Sequence, residues 1–126
     1  MGTKALGEGS HAEGGFYEDY QYDEVTGDSV LVKFVTIAAG DYSHAEGAGT
    51  YTSEGANYSH TEGYNTVTRQ QAAHAEGYES KAIGEASHAE GLDTKAIGYA
   101  SHAEGGVTSA VGDDSHAEGS GTTASG

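Results

Sequence analysis

Cysteine, proline and tryptophan are absent from this chain, and phenylalanine occurs only twice. Without cysteine there is no disulfide framework, and nothing follows about redox compartment. Without proline every residue keeps the backbone N–H that a strand ladder uses. Basic residues are also scarce: five Lys and Arg against 20 Asp and Glu leave a formal net charge of −15. Nucleic-acid backbones and anionic membrane surfaces select clustered Lys and Arg, so the composition argues against both as partners. No apolar run approaches the length of a membrane span, and the start carries no charged-then-apolar signal segment. Large aliphatic residues are few, whereas Ala, Ser, Thr and the 21 Gly are plentiful. Such a chain cannot fill one wide core. It can fill a narrow core of small side chains, repeated many times.

Repetition dominates what is present. Ser-His-Ala-Glu-Gly begins at Ser10, Ser43, Ser87, Ser101 and Ser115, with close variants at Ser59 and Ala73. All seven histidines belong to this motif, at spacings of 33, 16, 14, 14, 14 and 14. Between these copies lies Thr-x-Ala-x-Gly, at Thr3–Gly7, Thr36–Gly40, Thr94–Gly98 and Thr122–Gly126, with near copies at Ser80–Gly84 and Thr108–Gly112. One coil is therefore two seven-residue halves of the form [Ser/Thr]-x-Ala-x-Gly-x-x. The last half stops at Gly126 without a cap, which points to a piece of a longer protein.

Extended residues alternate faces, so the Ser/Thr, Ala and Gly positions share one face of each half and the two x positions share the other. The small face lines a narrow interior. Gly and the two residues after it are expected to make the turn, where positive φ is cheap for Gly. Two strands and two turns close a flattened coil of 14 residues. About eight such coils, stacked as parallel strands roughly 4.8 Å apart, make a rod of roughly 35–40 Å. A helix is excluded, because Gly every seven residues costs about 1 kcal/mol each and the alternation is two-fold. Hexapeptide β-helices, with aliphatic residues inward, do not match a period of seven.

These paired seven-residue halves resemble the head repeats of trimeric autotransporter adhesins, which read Ser-Val-Ala-Ile-Gly and Ala-x-Ala-x-Gly. They are also similar to repeats in bacteriophage tail fibre and tail spike proteins, with the Ser-His-Ala-Glu-Gly wording seen here. The resemblance covers nearly all of residues 1–126 except 17–35. It implies an all-β fold: a left-handed parallel β-roll (solenoid) of 14-residue coils, trimeric, serving surface attachment. The chain departs from the adhesin pattern where Val and Ile become His and Glu.

His and Glu, at the second and fourth positions, point outward on one face. Stacking predicts a ladder of His11, His44, His60, His74, His88, His102 and His116 beside Glu13, Glu46, Glu62, Glu76, Glu90, Glu104 and Glu118. The opposite half varies at the corresponding positions: Lys4/Leu6, Val67/Arg69, Lys81/Ile83, Ser109/Val111. A surface that meets the same partner at every level should be monotonous, so the ladder is expected at the trimer axis. The counter-reading puts Leu6, Ile83, Ile97 and Val111 there and the ladder in water. An axial ladder needs its carboxylates paired, with Glu accepting from a neighbouring chain's His and Ser hydroxyls adding donors.

No catalytic residue is expected. Ser and the adjacent His face opposite ways, and there is no nucleophile elbow; a carboxylate pair for glycoside hydrolysis remains the enzymatic alternative, as in a tail-spike depolymerase. No cofactor or metal is expected either, since seven stacked cation sites about 5 Å apart would repel one another. The long gap before His44 contains Tyr17 to Val35, two alternating segments around Thr26-Gly27-Asp28. It predicts a β-hairpin over residues 17–35. Tyr17, Glu18, Asp19, Tyr20 and Tyr22 are candidate contacts to a host glycan or receptor; the plainer alternative is a packing flap. The resulting expectation is a non-enzymatic homotrimeric attachment module on a virion surface or, alternatively, on a bacterial cell surface.

Overall fold

The computed structural model describes residues 2–126. It is a parallel β-solenoid, and among the described residues every regular element is a strand. One sheet carries the longer strands: β2 (His11–Tyr22), β4 (His44–Ala48), β6 (His60–Tyr64), β8 (His74–Tyr78), β10 (His88–Leu92), β12 (His102–Gly106) and β14 (His116–Ser120). The other sheet carries β1 (Thr3–Ala5), β3 (Ser29–Ala38), β5 (Tyr51–Thr52), β7 (Val67–Thr68), β9 (Lys81–Ala82), β11 (Lys95–Ala96), β13 (Ser109–Ala110) and β15 (Thr123–Ala124). Successive strands alternate between the two sheets, and within each sheet neighbours pair in parallel. Seven strands in the His-bearing sheet, joined by six steps, and eight in the other make seven coils and a half, where about eight were expected.

The interior follows the two-fold alternation. Ala45, Ala75, Ala89 and Ala103 from one sheet meet Ala38, Ala82, Ala96 and Ala110 from the other, all fully buried. Ser43, Ser59, Ser87, Ser101 and a file of threonines complete the filling, and among the described residues no buried side chain is larger than Thr. Methyl groups of this size contribute little hydrophobic free energy each. Cohesion therefore leans on the backbone ladders, in which His44 N–H donates to the Ser59 carbonyl at 2.9 Å and His88 N–H to that of Ser101 at 2.9 Å.

The serine hydroxyls are not available to the Glu ladder, contrary to expectation, because they point inward. Ser43 Oγ donates to the Gly40 carbonyl at 2.6 Å, Ser87 Oγ to that of Gly84 at 2.6 Å and Ser101 Oγ to that of Gly98 at 2.7 Å. Each serine thus clasps the turn that precedes it.

Positive φ in the turns is shared between glycines such as Gly9 and Gly49 and non-glycine residues just before the first position of each half: Tyr42, Tyr58, Ala72, Ala86, Ala100 and Asp114 on one edge, and Asn65, Glu79, Asp93 and Val107 on the other. There the N–H points along the rod and donates one rung back, as Ala100 N–H does to Glu85 at 2.9 Å. Glycines such as Gly47 and Gly91 also take positive φ, at +117° and +115°, and glycine meets a second demand. A Cβ on Gly91 or Gly98 would collide with the carbonyl oxygen of Gly105 or Gly112 in the next rung.

The inserted segment pairs antiparallel from Phe16↔Val35 to Tyr22↔Ser29. Its turn is closed by Asp23 N–H donating to the Asp28 carbonyl and Gly27 N–H to that of Asp23, both at 2.8 Å. At its base Tyr17 stacks between Phe34 and Tyr64, each with ring centroids 4.7 Å away, and Tyr64 stacks on Tyr78 at 4.8 Å. This aromatic column fixes the hairpin base to the solenoid corner.

Candidate functional site: a histidine and glutamate ladder

Register brings all fourteen ladder residues together. His11↔His44, His44↔His60 and so on to His102↔His116 are direct strand partners, and the glutamates pair likewise. From His44 to His116 the imidazoles are near-parallel, with centroids 4.7–4.9 Å apart. His11 breaks the pattern, lying at 82° to His44 with centroids 5.0 Å apart. An inner ring is covered on both sides by its neighbours, which leaves His74 35% exposed, whereas the end ring His11 is 64% exposed.

Within each rung His Nε2 approaches its own Glu Oε2, from 3.3 Å at His11/Glu13 to 3.9 Å at His74/Glu76. Only the first is a hydrogen bond; the others are too long for one. The Nε2 atoms of His44, His60, His74, His88 and His102 are shut off from solvent and have no hydrogen-bond partner. Ring burial holds His60, His74 and His88 below the usual imidazole range, reinforced by neighbouring imidazoles. Burial thereby favours the neutral form of these three rings.

The glutamates solve a like-charge problem by sharing protons. Carboxyl-to-carboxylate hydrogen bonding with Glu62 and Glu13 pushes Glu46 up to about 6. The same bonding with Glu62 and Glu90 pushes Glu76 up to about 7, and with Glu90 and Glu118 it raises Glu104. The alternate residues are lowered: Glu62 by bonds from Glu76 and Glu46, and Glu90 by bonds from Glu76 and Glu104. Glu13 is lowered first by its bond to His11. From Glu46 to Glu104, carboxyls of raised and lowered proton affinity therefore alternate and titrate as a coupled row.

Beside the glutamates runs a file of Gly14, Gly47, Gly63, Gly77, Gly91, Gly105 and Gly119. With no side chains there, the Glu row overlooks a trough of about 1150 Å³ with a backbone floor, running the length of the sheet. Sequence reasoning missed this trough, although the invariant Glu-Gly pair in each copy was its signal.

The hairpin candidates separate. Tyr17 is taken up in the aromatic column, while Glu18, Asp19, Tyr20 and Tyr22 are exposed on the projecting strand. Of the apolar positions of the counter-reading, Leu6, Ile97 and Val111 are exposed and Ile83 is half-buried, each just past a short strand of the other sheet.

Together, fold and ladder define a class: a parallel β-solenoid of 14-residue coils with one monotonous polar face. Neither the family models, nor the curated proteins, nor the solved structures provide a match to this chain.

Proposed function

We propose that this chain is a non-enzymatic structural and attachment module that works as a homotrimer, with the His/Glu ladder at the trimer axis. The setting that best suits it is a phage tail fibre or receptor-binding protein at the virion surface, with the head of a bacterial trimeric adhesin as the alternative. The observation that carries the reading is the uniformity of the ladder. Seven rungs repeat His and Glu without exception beside a bare trough, while Lys4, Ile37, Tyr51, Val67, Lys81, Lys95 and Ser109 vary on the other sheet. A partner engaged at every level imposes such uniformity; solvent does not. The half-exposed Glu carboxyls alongside supply polar groups that an adjacent chain can satisfy, and buried polar seams are suited to fixing register and chain number.

Sedimentation equilibrium at pH 7.5 tests the assembly: the expected mass is three times the 12.8 kDa of one chain. Because the chain has no cysteine, a single spin label can be placed at Glu90→Cys or Ile97→Cys. Short interchain distances at residue 90 support the axial ladder, and short distances at 97 support the counter-reading. A monomer at millimolar concentration overturns both.

A second reading has one observation in its favour. A trough lined by carboxyls of alternating proton affinity is the pairing that glycoside hydrolysis uses, which suits a tail-spike depolymerase. Its test is turnover of capsular or wall polysaccharide by the purified chain.

A further inference from the structure

We propose that His11, Glu13 and His44 form a binding site for one divalent transition-metal ion, with Zn²⁺ the best fit. The ligand atoms already lie within 4.8 Å of one another. His11 Nε2 is 3.3 Å from Glu13 Oε2, and His44 Nε2 is 3.8 Å from Glu13 Oε1. A tetrahedral ion with bonds of about 2.1 Å holds its ligand atoms about 3.4 Å apart. The first pair is at that separation; the second distance runs to the other oxygen, so the Glu13 carboxylate must turn to bring one oxygen to both imidazoles. Two imidazoles and a carboxylate are a donor set that zinc takes, with a fourth position left for water. The acidic chain, at −15, favours cation capture in general.

The ring geometry singles out this end of the ladder. An imidazole lone pair lies in the ring plane, so parallel stacked rings aim theirs in the same direction and cannot converge on one ion. That is the arrangement at His44/His60, with planes 0° apart, and at His102/His116, 6° apart. His11 has a ladder neighbour on one side only and stands at 82° to His44, so the two lone pairs can meet. The inner rings are clamped from both sides. Filling successive rungs would also bring cations within about 5 Å of one another. A single ion at the first step meets neither obstacle. This inference does not depend on the trimeric reading.

The test is calorimetric titration of the untagged full chain with Zn²⁺, together with the visible absorption of the Co²⁺ form. The expected result is one ion per chain and a Co²⁺ spectrum of tetrahedral intensity. His11→Ala and Glu13→Gln should weaken binding by more than the roughly 10- to 100-fold that outer-shell losses cost. His116→Ala, at the far end, should bind as the parent does. His11 and Glu13 are both more than half exposed, so neither variant threatens the core, and circular dichroism checks this. Absence of binding, several ions per chain, or equal loss in the His116 variant each overturns the proposal.

Discussion

Replacing Glu76 by Gln should stabilise the protein at alkaline pH and leave it unchanged in acid. Glu76 titrates at about 7 in the folded chain, against an ordinary value of 4.5, because it holds a proton between the Glu62 and Glu90 carboxylates. A group raised on folding contributes stability that is complete below its unfolded value. That contribution is lost as pH rises through the folded value. Above pH 7 the parent therefore carries three adjacent carboxylates with no shared proton. Gln keeps N–H donors at every pH and holds both neighbours as the proton did. The difference between about 7 and 4.5 corresponds to about 3 kcal/mol before screening. With the side chain 32% exposed, solvent reduces this to about 1 kcal/mol. A domain of this size converts that into a Tm increase of about 3–5 °C. Thermal unfolding by circular dichroism at pH 8 and pH 4.5 measures it. A variant that melts at or below the parent at pH 8 refutes proton sharing along the ladder.

Four further outcomes are expected. His74 is lowered by burial, so its contribution is present above pH 6.5 and is lost as pH falls through its folded value; His74→Gln should shrink the drop in Tm between pH 7 and pH 5. Gly91→Ala should cost at least about 2 kcal/mol by denaturant unfolding, since its Cβ meets the Gly105 carbonyl at a φ of +115°. Val107, a β-branched residue at a φ of 54°, is strained; Val107→Asn should raise stability by about 1 kcal/mol by the same assay, matching Asn65 in its own file. Tyr20→Ala with Tyr22→Ala should reduce binding to host cells without changing Tm, because both rings are 67% exposed; unchanged binding removes the hairpin from the attachment role.

The solenoid was legible because its cause is local and periodic. Alternation of Ser-x-Ala-x-Gly places Ser43 and Ala45 inside and His44 and Glu46 outside, and equal spacing puts His over His. What was not legible depends on atoms that meet only after closure. The inward clasp of Ser87 on Gly84 needs the finished turn, and Ala73 shows that a rung can form without it. Asn65, Asp93 and Asp114 are of types that favour the left-handed region, but the Tyr, Ala, Glu and Val residues there carry no such signal. Their requirement arises from a hydrogen bond to the rung behind. Glycine was read as a turn residue, whereas at Gly98 it is spacing between rungs that forbids a side chain. Proton sharing among Glu62, Glu76 and Glu90 likewise follows from rung spacing rather than from residue type. Tyr17, a candidate contact in sequence, became an anchor because Tyr64 and Phe34 flank it in space.

The rung-on-rung register has a consequence for how this protein can change. Each strand of the ladder sheet pairs His to His and Glu to Glu with the strand on either side, so the first and last inner rungs are interchangeable as neighbours. Duplication or loss of one 14-residue coil leaves every remaining side chain on its own face and every turn at its own edge. A rod altered in this way changes length in steps of about 4.8 Å, while the hairpin keeps its own pairing from Phe16↔Val35 to Tyr22↔Ser29.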